Sequence, residues 1–229
     1  MRIANNVEML EIAMPQGGKM HLVLTWDDKD VVLFDTGLPG QYELIRAAIE
    51  KAGFSLERIT KILLTHHDMD HIGTAKQLVK HGAKIMAHEK EAPYVQGDLP
   101  SPKLSKMQER MKDLSPEERL FYDRIQSSLP DLYLSVDEIL HDDEELPFCG
   151  GIKVVFTPGH TPGHTAYLLK ESKVLITGDA ANISNGELTG PNERNTLDMS
   201  KGEESFEKLK KMDADYVVCY HGGLFSKKI

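Results

Sequence analysis

The sequence contains little cysteine and no excess of positive charge, and each shortage excludes a class of protein. Only Cys149 and Cys219 occur among 229 residues, so neither a disulfide framework nor a cysteine-rich metal site is expected. Both lie beside apolar or turn residues, which favours buried structural thiols over a catalytic nucleophile. The formal net charge is -9, and no run of lysine or arginine offers the basic face that nucleic-acid binding needs.

Long apolar segments are also missing. No run approaches the roughly 20 apolar residues that cross a bilayer, and residues 1–8 lack the apolar core of a signal peptide. The sequence therefore predicts no membrane partner and a cytoplasmic location. Its 40% hydrophobic and 28% charged residues are ordinary for a globular protein, and its length fits one domain over residues 1–229.

The most informative stretch is the polar cluster at 65–71, which reads Thr-His-His-Asp-Met-Asp-His. The apolar run 62–64 before it is typical of a short buried strand. A helix is predicted after it, over 74–80, with Thr74 as the cap. The cluster therefore lies where a strand passes into a helix, which is where an α/β layer usually places its ligands.

The side chains of this cluster are typical metal donors. Alternate residues of an extended turn point the same way, so His66 and Asp68 are expected to face one point. Asp70 and His71 would then serve a second point. A single pair of this kind is usually a turn or a cap, but so many polar residues between apolar segments favour a metal site.

Acidic and histidine side chains also follow other predicted strands. These positions are Asp35, His160, Asp179 and His221. Randomly scattered histidines would not recur at strand ends, so these residues and the cluster together offer donors for two metal ions. Asp35 is compatible with a ligand, a turn cap or a carboxylate behind a ligand. The last is favoured, because metal-bound histidines commonly donate their other N–H to a carboxylate.

Residues 89–147 differ from the rest in their Lys, Glu, Met, Leu and Pro content. Ser115-Pro116-Glu117-Glu118 is a typical helix start. We expect a helical insert of two or three helices over the open end of the core. Its apolar side chains either line a substrate pocket or serve helix packing or a homodimer contact: Met107, Met111, Leu114, Leu120, Phe121 and Tyr122.

These motifs together resemble the metallo-β-lactamase superfamily of metallohydrolases. The matching pieces are Asp35-Thr36-Gly37, the 65–71 cluster, Thr157-Pro158-Gly159-His160-Thr161, Gly178-Asp179 and His221. The resemblance implies an α/β (α+β) fold, an αββα sandwich of two mixed β-sheets flanked by helices with metals at one edge. The segment 157–165 is similar to hydroxyacylglutathione hydrolases, and the helical insert is similar in placement to the cap of lactonases.

The resemblance also implies how the donors divide between two divalent ions. The implied ligands are His66, Asp68 and His160 for the first ion, and Asp70, His71 and His221 for the second, with Asp179 between them. Asp70 or Asp179 would steer the proton of the nucleophile and so act as catalytic residues. No organic cofactor is implied.

Asp68 departs from the family pattern, which has histidine at this position. The carboxylates of Asp68, Asp70 and Asp179, together with a bridging hydroxide, would then balance the four positive charges of two divalent ions. The first ion would make water less acidic, and carboxylate in place of imidazole favours harder ions such as manganese or iron, although zinc remains the first expectation. His67 offers an alternative ligand, but as the adjacent residue it should face away.

The expected reaction is hydrolysis of an ester, thioester or lactone of a small molecule by hydroxide generated between two metals. Two alternatives stay open. One is an iron-dependent enzyme similar to sulfur dioxygenases, which uses the same fold with one metal. The other is a non-catalytic metal-binding domain whose first site is weakened by Asp68.

Overall fold

The first sheet begins as antiparallel hairpins and ends as a parallel layer in the computed structural model, which describes residues 1–227. Its strands lie in chain order: β1 (Arg2–Ala4), β2 (Val7–Ala13), β3 (Lys19–Trp26), β4 (Val31–Phe34), β5 (Lys61–Leu63), β6 (Lys84–His88) and β7 (Glu138–Leu140). Strands β4 to β7 pair in parallel. Their carboxyl ends therefore meet at one edge, from which the 65–71 cluster emerges.

The second sheet packs its strands in the spatial order β15-β14-β11-β10-β9-β8. Their bounds, with those of a separate hairpin β12–β13, are β8 (Glu145–Leu146), β9 (Ile152–Phe156), β10 (Thr165–Leu169), β11 (Val174–Ile176), β12 (Asn182–Ser184), β13 (Glu187–Thr189), β14 (Tyr216–Cys219) and β15 (Gly223–Ser226). Only β11 and β14 pair in parallel within this sheet as described over residues 1–227. Both sheets are therefore mixed, as predicted.

The helices are α1 (Tyr42–Lys51), α2 (Met69–Ile72), α3 (Ala75–Leu78), α4 (Ala92–Gln96), α5 (Pro102–Glu109), α6 (Pro116–Leu132) and α7 (Met199–Lys210). The predicted start of α6 is confirmed: Ser115 Oγ accepts from the N–H of Glu118, and the Glu118 carboxylate accepts from the N–H of Ser115. Among the described residues, no helix combines the length and apolarity that a membrane span requires.

The alternation of side chains along the strands decides how the layers stack. In β4, Val31 and Leu33 pack with α1 and α6 on one side, whereas Val32 and Phe34 face the second sheet. In β10, Tyr167 meets Phe34 between the sheets with ring centroids 5.3 Å apart. On the far face of β10, Leu168 packs with residues of α7. These layers form the predicted αββα sandwich.

The helical insert contains three helices, α4 to α6, and its last part returns to the sheets as β7 and β8. Helix therefore ends at Leu132, earlier than the expected boundary near 147. The assignment of one domain stays a prediction, and residues 228–229 of that range lie outside the described residues.

The turn at 65–71 is less extended than expected. Its second half is the short helix α2, because Asp68 O accepts hydrogen bonds from the N–H groups of His71 and Ile72 at 2.8 and 3.2 Å. Thr74 precedes α3 but does not cap it through its side chain. Its hydroxyl instead donates to Thr36 O at 2.7 Å, which ties the loop after β4 to the one after β5.

Candidate metal centre

All seven predicted ligands meet at one edge of the sandwich. They form three overlapping groups whose donor atoms lie within 4.8 Å of one another: His66, Asp68 and His160; Asp70, His71 and His221; and His66, His71 and Asp179. The first two groups are the sets predicted for the first and second ions, and they are called the first group and the second group below. Strands from both sheets supply them, so only the folded chain brings these donors together.

Asp35 lies behind the second group. Its Oδ2 is 2.9 Å from His71 Nδ1, and the N–H and hydroxyl of Thr65 both donate to its carboxylate at 2.8 Å. With the proton of His71 on Nδ1, its Nε2 lone pair faces the centre. Asp35 therefore occupies the place predicted for a carboxylate behind a ligand, not that of a ligand.

Three buried atoms at the centre lack partners. Nε2 of His66, Nε2 of His71 and Oδ1 of Asp179 have no hydrogen bond to any residue in the range 1–227. An unsatisfied buried polar atom costs about 1–3 kcal/mol. The same three residues form one of the close groups. Three buried donor atoms that converge without a hydrogen-bond partner fit a bound cation.

The first group contains a cation that the sequence did not indicate. Asp68 Oδ2 lies 3.0 Å from His160 Nε2 and 3.3 Å from His66 Nε2. The ammonium of Lys103, from the first turn of α5, contacts the same Asp68 oxygen and lies 2.9 Å from His160 Nε2. No local signal marks this residue, because only the folding of α5 over the centre places it there.

Glu91 is a second supporting residue that sequence reasoning missed. Its buried carboxylate accepts from His67 N at 2.8 Å, Gly163 N at 2.8 Å and Thr161 Oγ1 at 3.0 Å. It also contacts His67 Nδ1. Gly163 is required beside it, because a Cβ there would lie 2.3 Å from Glu91 N. Glu91 thus ties the 65–71 cluster to the loop that carries His160.

Two further histidines lie beside the centre, and His67 does so in the orientation that the sequence predicted. His67 faces away from the centre, toward Glu91, and its ring stacks with Tyr94 at 4.9 Å. His164 is structural: its Nε2 accepts from Asp179 N at 3.1 Å, and its Nδ1 lies 2.8 Å from Thr157 Oγ1. His164 therefore fixes the loop that presents Asp179.

The electrostatics favour positive charge at the second group. Burial lowers the pKa of His71, but the carboxylates of Asp35, Asp70 and Asp179 outweigh burial and raise it to about 9. Burial also lowers the pKa of His221, and hydrogen bonds to Asp179 and Asp70 raise it to about 10. A divalent ion would supply the positive charge that these carboxylates stabilise.

The remaining pKa shifts favour the protonation states that metal binding requires. Burial, followed by repulsion from His71, holds the pKa of His66 well below its usual range. Burial raises the pKa of Asp68, but attraction to Lys103 and His66 brings it well below its usual range. The pKa of Asp179 is lowered in the same way, because attraction to His160 and His71 outweighs the effect of burial. His66 is thus neutral and both carboxylates are ionised at neutral pH.

The centre opens into a cavity of about 570 Å³ between the sandwich edge and the helical insert. Met107 and Phe121, for which the sequence left a pocket wall, helix packing and a dimer contact open, line this cavity. Leu114 and Tyr122 are buried instead, and Leu120 is exposed on α6. Further residues of the insert also line the cavity, some apolar and some polar: Leu104, Ile125, Leu129, Ser101, Lys103 and Lys106.

Comparison with known proteins decides the family. The pattern of the metallo-beta-lactamase superfamily matches residues 19–221, which is most of the chain. The chain belongs to the metallo-beta-lactamase superfamily. This confirms the resemblance drawn from the sequence motifs and the predicted fold. The superfamily consists mostly of hydrolases and its fold binds divalent metals, and this chain has three candidate donor groups.

Curated members of the metallo-beta-lactamase superfamily resemble this chain along most of its length. The probable metallo-hydrolase YybB of Bacillus subtilis is 29% identical over 213 residues, 93% of this chain and 84% of that protein. Hydroxyacylglutathione hydrolase GloC of Haemophilus influenzae is 29% identical over 177 residues, 76% and 71% of the two chains. A solved metallo-beta-lactamase family protein of Thermus thermophilus superposes with a TM-score of 0.72 at 23% identity, covering 97% and 75%, which supports the fold alone.

Proposed function

We propose that this protein is a metal-dependent hydrolase that cleaves an ester, thioester or lactone of a small molecule. The convergence of three unpaired buried donor atoms at the sandwich edge carries the proposal. The similarity to hydroxyacylglutathione hydrolase GloC supports an acyl substrate. The cavity beside the donors is large enough for a small molecule.

The proposed ligands are His66, Asp68 and His160 for a first ion and Asp70, His71 and His221 for a second, with Asp179 between them. Two divalent ions, when bound, supply a water of lowered pKa and polarise a carbonyl oxygen. Zinc suits the imidazole donors, whereas the Asp68 carboxylate in the first group also suits manganese or iron.

The residues of the chain perform the remaining tasks. Asp179 Oδ1 is the unpaired buried acceptor and can take the proton from the attacking water. Asp70 Oδ2, which lies 3.2 Å from His221 Nε2, is the alternative acceptor. Asp35 holds His71 in the tautomer that presents Nε2. Apolar side chains of α5 and α6 exclude water from the acyl part of the substrate.

A metal analysis combined with a hydrolysis panel tests this function. The protein is loaded separately with zinc, manganese and iron, and bound metal is measured by mass spectrometry. Esters, thioesters and lactones are then assayed before and after chelation. We expect two ions per chain and turnover of at least one substrate class, lost on chelation and restored by metal.

Other outcomes of the same panel contradict the proposal in distinct ways. A protein that takes up no metal would end it. A single iron with oxygen consumption would favour the sulfur dioxygenase alternative. One metal and no turnover on any substrate would favour a non-catalytic metal-binding domain.

A further inference from the structure

Lys103 lies at the point where the donors of the first group converge. Its ammonium contacts Asp68 Oδ2 and is 2.9 Å from His160 Nε2, while these two acceptors are 3.0 Å from each other. A lysine ammonium carries only donors, so it donates to Asp68 Oδ2, and also to His160 Nε2 in the tautomer that leaves this nitrogen unprotonated. The side chain is 25% exposed, so part of this contact is shielded from water.

A metal ion in the first group would need the same lone pairs. Asp68 Oδ2 and His160 Nε2 cannot coordinate an ion at the position that the Lys103 nitrogen occupies, because two cations would then share one point. Binding of the first ion therefore requires the ammonium to leave. Lysine is suited to this, since its flexible four-carbon stem can move the charge without moving the backbone.

Within the described residues, no lysine forms an ion pair with the carboxylates of Asp70 and Asp179. Within the described part of the chain, the ion pairs of Asp70 and Asp179 are with His71, His160 and His221. The two groups thus differ in their neighbours: a lysine ammonium contacts Asp68 and His160 of the first group, whereas Asp70 of the second group pairs with histidines.

We propose that Lys103 competes with the first metal ion, so that the centre fills in order: the second group first, and the first group only when Lys103 withdraws into the cavity. This inference rests on the ligand assignment of the proposed function. It makes metal loading depend on helix α5, which carries Lys103 and forms part of the cavity wall.

Zinc can bind the first group only after the charged hydrogen bond of Lys103 is broken, and breaking such a bond lowers the zinc affinity by roughly 10- to 100-fold. The first group should therefore bind zinc about that much more weakly than it would without Lys103. The wild-type protein should show two separate zinc-binding steps.

Zinc titration of the whole chain, by calorimetry and by metal content after equilibrium dialysis, tests this order. Lys103→Met keeps the length of the side chain and removes its charge, so the weaker step should tighten about 10- to 100-fold. Lys103→Arg keeps the charge and should keep that step weak. Lys106→Met is the matched control on the same helix: Lys106 Nζ donates to Leu197 O at 2.8 Å, and its loss should leave both steps unchanged.

A second measurement needs no variant and so does not depend on folding of a mutant. Acetylation of lysines in the wild-type protein is followed by mass spectrometry at zero, one and two equivalents of zinc. Lys103 should stay protected with one equivalent and become reactive with two, while Lys106 should not change between them.

Unchanged zinc affinities in Lys103→Met, or a Lys103 reactivity that ignores the second equivalent, would overturn the competition and leave the hydrolase proposal standing. Absence of zinc binding in both the wild type and the variant would instead remove the proposed function, and the competition with it.

Discussion

Two buried carboxylates support the candidate centre from opposite sides, and they differ in what they hold. Asp35 holds a ligand side chain: it accepts from His71 Nδ1 and from Thr65. Glu91 instead joins two loops: besides contacting the His67 ring and the Thr161 hydroxyl, it accepts from the N–H groups of His67 and Gly163, one from each loop that carries donors of the first group. Asp35 therefore decides the donor chemistry, because it fixes which nitrogen of His71 carries the proton. Glu91 decides the loop position, because it holds two loops together.

Removal of Glu91 should have the largest effect on stability. Glu91→Ala leaves two buried backbone N–H groups and the Thr161 hydroxyl without their acceptor. Breaking a buried charged network of this kind costs about 3–5 kcal/mol in the free energy of unfolding. Urea denaturation of the metal-free protein measures this cost.

The matched control for this change is Glu89→Ala, two residues earlier on the exposed surface. It should change the free energy of unfolding by less than about 0.5 kcal/mol. Equal effects of the two substitutions would show that Glu91 does not hold the loops together.

Neutralising Asp35 should act mainly on metal affinity. Asp35 has φ 58°, a left-handed conformation that asparagine tolerates, so Asp35→Asn preserves the backbone. The new amide can donate to His71 Nδ1, which moves the histidine proton to Nε2 and blocks the donor. Loss of such a supporting carboxylate typically weakens metal binding about 10- to 100-fold.

A competition assay with a chromophoric zinc chelator measures this loss in the second group. Asp28→Asn, an exposed aspartate before β4, is the control and should bind zinc like the wild type. If Asp35→Asn binds zinc normally but unfolds more easily, then Asp35 supports only the loop and not the donor His71. The contrast with Glu91 would then disappear.

The same contrast explains how much of the centre could be predicted from the sequence. Continuous apolar runs such as 62–64 predicted buried strands, and recurrence after strands predicted all the donors that meet at the edge, together with Asp35. Glu91 and Lys103 escaped prediction because neither follows this rule. Their decisive contacts, to Gly163 and His160, cross 72 and 57 positions of sequence and exist only after the helical insert has folded.

Local structure at the centre was predicted less well for a related reason. The helical turn α2 forms because Asp68 O accepts the N–H of His71, and the Thr74 hydroxyl binds Thr36 O instead of capping α3. Contacts with the loop after β4 hold this segment in place, since Thr36 N donates to His71 O and the Thr74 hydroxyl to Thr36 O, and the intrinsic preferences of a short segment do not contain such contacts.

The substitution Asp68→His tests the first group, whose two loops are held in position by Glu91. Imidazole replaces a carboxylate and also removes the ion-pair partner of Lys103, so zinc retention should rise about 10-fold. Metal content after dialysis measures it. The double variant with Lys103→Met separates the two causes: a further gain would show that Lys103 still competes through His160. Unchanged metal content and turnover in Asp68→His would show that Asp68 is not a ligand.

The smallest expected changes in zinc affinity come from a matched pair of threonines, one beside each carboxylate. Thr65 Oγ1 donates to Asp35 Oδ2 at 2.8 Å, and Thr161 Oγ1 donates to Glu91 Oε2 at 3.0 Å; both threonines are fully buried. Replacing either by valine keeps the shape and removes one hydrogen bond to a charged group. Each change should cost about 1.5–3 kcal/mol in the free energy of unfolding.

The two variants should differ in zinc affinity although they lose similar amounts of stability. Thr65 Oγ1 also lies 3.0 Å from His66 Nδ1, so Thr65→Val disturbs the orientation of a donor and should weaken zinc binding several-fold. Thr161 contacts Glu91 alone in this network, and Thr161→Val should leave zinc affinity unchanged because the remaining bonds of Glu91 still hold both loops. Equal zinc affinities in the two variants would contradict the division between a carboxylate that sets donor chemistry and one that sets loop position.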